Sequence, residues 1–504
     1  MKKLLVLFLA LIMVLGVLAA CGPKESGTDT PSGSKYDEEA PLPRTTYNGK
    51  TYRVLYRAGD RYEEEWISNK EAKGDVINDA IASRNQAVTD RYGIKFDFGG
   101  GKVTGNDFEN DFWSKVTTTT EDDEFQLVAG YTYRLATVSV KGYCLNWLNK
   151  EQIPVVDTTA DWWDTDFIQA AKYNGCTYIA TGPLSLTDMY SSACMFFNKD
   201  LLNQFKGPNA TDELFELVNA GGWTLDKMME YAKDCTYKDE GETDENSIYG
   251  ISTNQATMID AYIYASDLVM TKRNKSTGVI ELVKVDANNA ILALSEKLCN
   301  FYQKSGNAKL IEMTSPEFVP LLCSGNATFA SGTLSSAKDI QQNAPDLLYG
   351  VIPYPKYDAD QKEYHTYKLD YKTGFCIPRS VYRHNNQEFV GTITEALAYY
   401  SNKFVKPALY EKVLTHKLVQ DKNSSECVDK ILNGGLYEFA NIYAGAWGDL
   451  QSPAHLLRSV VQKNQDYATE YSKNYKNGNG PYAIGLRNLL NSFESDSIEE
   501  TPAA

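Results

Sequence analysis

Between Thr51 and Gly130 the chain alternates short β-rich runs with helical stretches, and no other feature restricts its fold as much. The run Thr51–Arg57, TYRVLYR, is dominated by β-branched and aromatic residues. From Asp75, the residues Ile77, Ala80, Ile81, Val88 and Tyr92 recur on one face of a helix that Gly93 stops. Ile94–Phe98 reads as a second strand, Asp107–Val116 as a second helix and Phe125–Gly130 as a third strand. Crossovers of this kind build a parallel sheet with helices on its faces. Such sheets bind ligands at the loops beyond the carboxyl ends of their strands. Here those loops are Ala58–Tyr62 and Gly130–Arg134. From about Asn386 onward the chain reads as mostly helical.

The first residues stand outside this pattern. Leu4–Leu18 is an apolar run preceded by Lys2 and Lys3 and followed by Ala19, Ala20 and Cys21. As a helix with ~1.5 Å rise it covers about 22 Å, short of the roughly 30 Å hydrocarbon core of a bilayer. A positive start, an apolar stretch and small residues at the cut are the marks of an export signal. Leu18-Ala19-Ala20-Cys21 resembles the lipobox of bacterial lipoproteins, which implies removal of residues 1–20 and lipidation of Cys21. Residues 21–43, rich in Gly, Ser, Thr and Pro, read as a flexible tether. The expected location is the outer face of a cell membrane, reached through the lipid anchor only.

Loss of Lys2 and Lys3 takes the formal charge from −16 to −18. An acidic body of this kind disfavours nucleic acid and anionic lipid as partners. The about 460 residues beyond the tether are too many for one core, so two lobes are expected. The 34 tyrosines offer flat apolar faces with hydroxyls, which suit polyhydroxylated ligands and also ordinary packing. Eight cysteines follow Cys21; an even count permits disulfides, but no C-x-x-C pair occurs and apolar neighbours favour buried thiols. The four histidines are scattered without H-E-x-x-H spacing, so neither a metal nor a cofactor is expected.

Several segments in order along the chain resemble the carbohydrate-binding group of ABC-transporter solute-binding proteins, family 1. Tyr173-Asn174-Gly175 and Phe197-Asn198-Lys199-Asp200-Leu201-Leu202 stand where that family has its YNGK hairpin and YNKDLL strand end. Gly221–Cys235 is similar to its TW-x-E-L helix, with Trp and Thr in swapped order and Thr224 as a sound N-cap. Ile248–Asn254, Phe318–Ile340 and Tyr349–Pro355 match its YG strand, its F-x-x-G-x-A-A-M segment and its G-x-x-x-x-P strand. The resemblance implies an α/β, two-lobed, class II periplasmic-binding-protein-like fold. Each lobe would be a mainly parallel sheet flanked by helices, with a helical C-terminal part. It places lobe one at 44–188 and 327–377, and lobe two at 189–326 and 378–504. It also implies a monomer that clamps a sugar or oligosaccharide between the lobes and hands it to the membrane subunits of an ABC permease.

The same resemblance suggests the ligand contacts. Asp60 and Arg61 follow the first strand, where relatives hydrogen-bond sugar hydroxyls with a charged pair. Tyr131, Tyr133 and Arg134 occupy the equivalent loop after the third strand. Asp188 lies near the first crossover, and Asn254 ends the YG strand. Trp447, with Asp449 beside it, stands where relatives stack a Trp on a sugar ring, and its small neighbours Ala444, Gly445, Ala446 and Gly448 suggest an open indole face. Asp161-Trp162-Trp163-Asp164 reads instead as a helix start packed against lobe one.

A catalytic reading finds little support. G-x-S-x-G, P-loop and G-x-G-x-x-G motifs are missing, and no carboxylate pair among the 66 acidic residues stands out as glycosidase machinery. The expectation is a binding protein without catalytic residues. A secreted glycoside hydrolase, or a binding lipoprotein that takes another small solute or feeds a sensor, remains the alternative.

Overall fold

In the first sheet the strand order is β13-β4-β1-β2, with β3 also paired to β1. Its strands are β1 (Thr51–Arg57), β2 (Lys95–Asp97), β3 (Lys102–Val103), β4 (Leu127–Tyr131) and β13 (Thr373–Cys376). β1 runs parallel to β2, β3 and β4, in the register Thr51↔Lys95 and Val54↔Leu127, and only β13 is antiparallel. The parallel strand pairing expected from the alternating pattern is therefore present with its first crossover helix, whereas most of the expected helix Asp107–Val116 lies outside the described residues. The helix Val76–Tyr92 is capped by Asp75, whose carboxylate accepts from the Ile77 and Asn78 amides, and ends at Gly93 with φ 59°. Ile77, Ala80, Ile81, Val88 and Tyr92 are all buried.

This computed structural model describes residues 39–69, 74–98, 102–103, 114–116, 124–239, 246–286, 289–312, 319–414, 421–447 and 452–494. Cys21 and Asp449 lie outside the described residues. The described residues all belong to one compact unit.

The second sheet has the order β11-β5-β10-β6-β9. Its strands are β5 (Ala193–Asn198), β6 (Tyr249–Asn254), β9 (Ala308–Ile311), β10 (Ala327–Thr333) and β11 (Tyr349–Ile352). β6 is parallel to β9 and β10, whereas β5 is antiparallel to β10 and β11. This corrects the expected boundary at 327. β10 is buried along its whole length at the centre of the second sheet, and the chain returns to the first only at β13. The small residues of ATFASGT let β10 sit between two neighbours: a Cβ on Gly332 would come within 2.8 Å of the Ser336 hydroxyl.

The C-terminal helices are likewise not confined to lobe two. The helix Gln387–Tyr400 packs on the first sheet, where Thr394 Oγ1 and the buried Tyr52 hydroxyl are 2.7 Å apart and Phe389 meets the Tyr52 ring edge-on. Its Glu395 accepts from the indole N–H groups of both Trp162 and Trp163 and from the Asp157 amide, so the paired tryptophans are packing residues. By contrast, the helix Leu456–Lys463 lies against the second lobe, through Arg458 on Asp260. No disulfide links the eight described cysteines.

The segments that cross between the sheets are stitched together by backbone bonds. Leu369 donates to Ser191, Leu334 to Ser192 and Ser335 to Tyr190. Glu65, which follows the first strand's loop, reaches the same crossing: its Oε1 accepts from the Thr187 amide and hydroxyl and from Ser185.

Candidate ligand cleft

The carboxyl ends of β1 and β4 meet in an aromatic and cationic cluster. Arg57, the last residue of β1, holds its guanidinium 3.2 Å from the centre of the Tyr131 ring and 4.8 Å from that of Tyr62. The two tyrosines pack edge to face at 5.8 Å. Cation–π contacts hold the rings in place. The Tyr62 hydroxyl donates to the Tyr371 carbonyl at 3.3 Å, and the Tyr371 hydroxyl donates to Thr333 Oγ1 at 3.2 Å. Thr333 ends β10, so this chain of contacts joins the strand ends of one sheet to those of the other.

One turn further along, the helix Thr132–Val138 carries Tyr133 and Arg134. Its start is pinned to the crossing segment: the Tyr133 amide and Thr132 hydroxyl both donate to the Asp370 carbonyl. The Tyr133 ring stacks on His455 at 6.3 Å and 26°, and the Arg134 guanidinium lies 5.6 Å from the Tyr133 ring. Ser452 caps the turn that presents His455 by accepting from the Ala454 amide. Behind it, the Nε of Arg458 donates to Asp260 Oδ2 at 2.5 Å. Burial, reinforced by the positive charge of Arg458, lowers the His455 pKa to about 3 and leaves the imidazole neutral. Burial raises Asp260 to about 6 against the pull of Arg458, and burial likewise raises Asp370.

Tyr131, Tyr133 and Arg134 thus come together at the strand ends. Asp60 and Arg61 stand on the short helix Asp60–Glu63 next to Tyr62, with their side chains outside the described structure. Asn254 ends β6 but is buried, and its side-chain Oδ1 accepts from the Ala256 amide to form the turn that follows.

Asp188 belongs to a different place. Lys368 and Lys372 approach its two oxygens at 3.3 and 3.1 Å, and Tyr437 donates to the neighbouring Asp164 at 2.5 Å. Burial works to raise the Asp188 pKa, but the two lysines outweigh it and hold the carboxyl well below its usual range. Asp164 moves the other way, raised by burial and by the charge of Asp188. A cavity of about 280 Å³ opens beside this cluster, lined among others by Asp161, Asp164, Asp188, Lys368 and Tyr437. None of Arg57, Tyr131, Tyr133 or His455 lines it.

Trp447 does not offer a face to a ligand. It is 2% exposed, and its indole N–H donates to the Tyr482 carbonyl at 3.1 Å. The small residues around it allow close packing rather than leaving room. A Cβ on Gly445 would come within 2.2 Å of the Tyr133 carbonyl oxygen, and one on Gly485 within 2.1 Å of the indole.

Sequence reading passed over Arg57, Tyr62, Asp370, Tyr371, His455 and Arg458. Tyr62 lies within the expected Ala58–Tyr62 loop and Arg57 just before it, so both were within reach of the strand-end rule. The H-x-x-R spacing of His455 and Arg458 puts both on one side of a helix start, a weak signal.

No family model matches the sequence, and no curated protein matches it. Solved structures do. A cyclo/maltodextrin-binding protein complexed with maltotetraose aligns over 91% of this chain and 99% of its own, at 15% identity and a TM-score of 0.53. An ABC-transporter solute-binding protein from Thermotoga lettingae, bound with α-D-tagatose, covers 88% and 100% at 12% identity and a TM-score of 0.50. The galacto-N-biose/lacto-N-biose I-binding protein of the Bifidobacterium longum ABC transporter covers 89% and 97% at 12% identity, also with a TM-score of 0.50. The chain therefore has the two-lobed fold of the ABC-transporter solute-binding proteins.

Proposed function

We propose that this protein captures a sugar or oligosaccharide between its lobes and delivers it to an ABC importer, without catalysing a reaction. The observation that carries the reading is the meeting of Arg57, Tyr62 and Tyr131 from the first sheet with Tyr371 and Thr333 at the end of β10. Flat rings suit the apolar C–H faces of a sugar, while hydroxyl, guanidinium and carboxylate groups suit its rim. The sugar ligands of the three solved proteins support the class of ligand.

The test is a thermal-shift screen across mono- and oligosaccharides, because a ligand that binds only the native state raises the apparent stability. A sugar that raises the melting temperature should also reduce the radius of gyration in X-ray scattering as the lobes close. Steady conversion of that sugar by the purified protein would favour a hydrolase instead, and no shift with any sugar would sink the reading.

We place the body outside the cell on a lipid anchor at Cys21, as a monomer held by the tether 21–43. Among the described residues no helix is long and apolar enough to cross a membrane. Cys21→Ser should release the protein into the medium or leave it as the uncleaved precursor. A mature-sized variant that still fractionates with membranes would rule the anchor out.

A further inference from the structure

We propose that His455 and Asp370 together read two adjacent hydroxyls of the bound sugar, and that this pair sets the cleft's preference for an unsubstituted vicinal diol. The inference rests on the sugar-binding reading above and names the residues that give it specificity.

His455 Nε2 is buried and has no hydrogen-bond partner within the protein. It stands 4.0 Å from Asp370 Oδ2, too far for a hydrogen bond between them, so each keeps its capacity for a third group. A buried polar atom without a partner is costly unless something else supplies one. The chemistry suits two neighbouring hydroxyls. A neutral imidazole nitrogen donates or accepts according to its tautomer, and a carboxylate accepts from a hydroxyl. Burial, reinforced by the charge of Arg458 on Asp260, keeps the imidazole uncharged. Tyr133, stacked on the imidazole, adds an apolar wall next to these polar groups.

The three groups come from three parts of the chain: Tyr133 from the end of β4, Asp370 from the crossing segment, and His455 from the turn before a helix packed on the second lobe. A ligand that bridges His455 and Asp370 makes that contact only while the lobes hold this arrangement. It therefore favours this arrangement over any in which the groups separate.

The experiment is isothermal titration of wild type, His455→Ala, His455→Gln and Asp370→Asn with maltotetraose, α-D-tagatose and lacto-N-biose. With the probe that binds wild type best, His455→Ala and Asp370→Asn should each weaken binding about tenfold or more, at unchanged apo melting temperature. His455→Gln, whose amide reaches toward the same place, should recover part of the loss. The double variant should lose less than the product of the single losses, because both groups hold one ligand edge. Wild-type affinity in both single variants would overturn this inference alone. Equal losses in His455→Ala and His455→Gln, with a lowered apo melting temperature, would assign His455 to packing and overturn it too. Failure of wild type to bind any of the three sugars would overturn the sugar reading and this inference with it.

Discussion

Two polar clusters lie close to the crossing segments, and they differ in whether their buried groups face an opposite charge. Around Asp188, two lysines face two carboxylates, both at ion-pair distance from Asp188, and Tyr437 closes on Asp164, so each buried charge has an opposite charge beside it, although Lys372 Nζ makes no aligned hydrogen bond. At the strand ends, His455 Nε2 is unpartnered, Asp370 is not in hydrogen-bond range of it, and the tyrosine rings are held by cations rather than by core packing. Buried groups held by an opposite charge fix one conformation, whereas a neutral buried group left wanting a partner marks where a ligand supplies it. Charged residues in a cavity were therefore a poor guide here. The cavity beside Asp188 is well formed and rich in carboxylates, yet its buried charges answer one another.

The comparison breaks most readily at Lys372. Lys372→Met leaves Asp164 and Asp188 sharing one buried lysine, and removing one partner of a buried pair costs about 3–5 kcal/mol. The expected result is a large fall in the apo melting temperature, with sugar affinity preserved in the folded fraction. A variant as stable as wild type that no longer binds sugar would move the site to the Asp188 cavity. Trp447→Ala should cost a similar amount, roughly 3–5 kcal/mol of stability, again with binding retained, as expected of a core side chain.

Glu65 sharpens the comparison through pH. Burial pushes its carboxyl up to about 7 despite bonds from Thr187 and Ser185, and Arg84 is the charged group packed nearby. A carboxyl raised in the folded state adds stability that is complete below its ordinary value and is lost as pH climbs through about 7. Melting temperature measured from pH 4.5 to 8 should thus decline in wild type by an amount missing from Glu65→Gln, up to roughly 3 kcal/mol. Parallel profiles for the two proteins would remove Glu65 as the source.

The smallest effect is expected at Tyr131. Tyr131→Ala should weaken sugar binding about 30-fold, near 2 kcal/mol, while the apo melting temperature moves little because the ring is only half-buried. Unchanged affinity would place the ligand elsewhere along the cleft.

What could be read from the sequence followed from local physics. The helix Val76–Tyr92 was legible because its cap, its stop and its apolar face all lie within eighteen residues of one another. The loops after β1 and β4 were legible because strand-end binding follows from crossover topology. Asp370, Tyr371 and His455 were not, since they arrive from segments more than two hundred residues away and carry no periodic signal. β10 was assigned to the wrong sheet because a buried run of small residues fits either sheet, and only its pairing with β5 and β6 decides. Trp447 was misread for a related reason. A glycine beside a large ring indicates either empty space or a closely packed neighbour: here Gly445 admits the helix Thr132–Val138, and Gly485 lets the helix Pro481–Glu494 close on the indole.

The placement of the indoles has an optical consequence. Trp66, Trp147, Trp163, Trp223 and Trp447 are buried, and Trp162 is anchored with Trp163 on Glu395. The rings at the strand ends are tyrosines. Among the described residues, indole emission therefore reports the integrity of each lobe and should stay almost silent while a ligand enters. Phenol absorbance and ultraviolet resonance Raman bands of the tyrosine hydroxyls are the natural signals of occupancy. A titration followed only by tryptophan fluorescence would record a working receptor as inert.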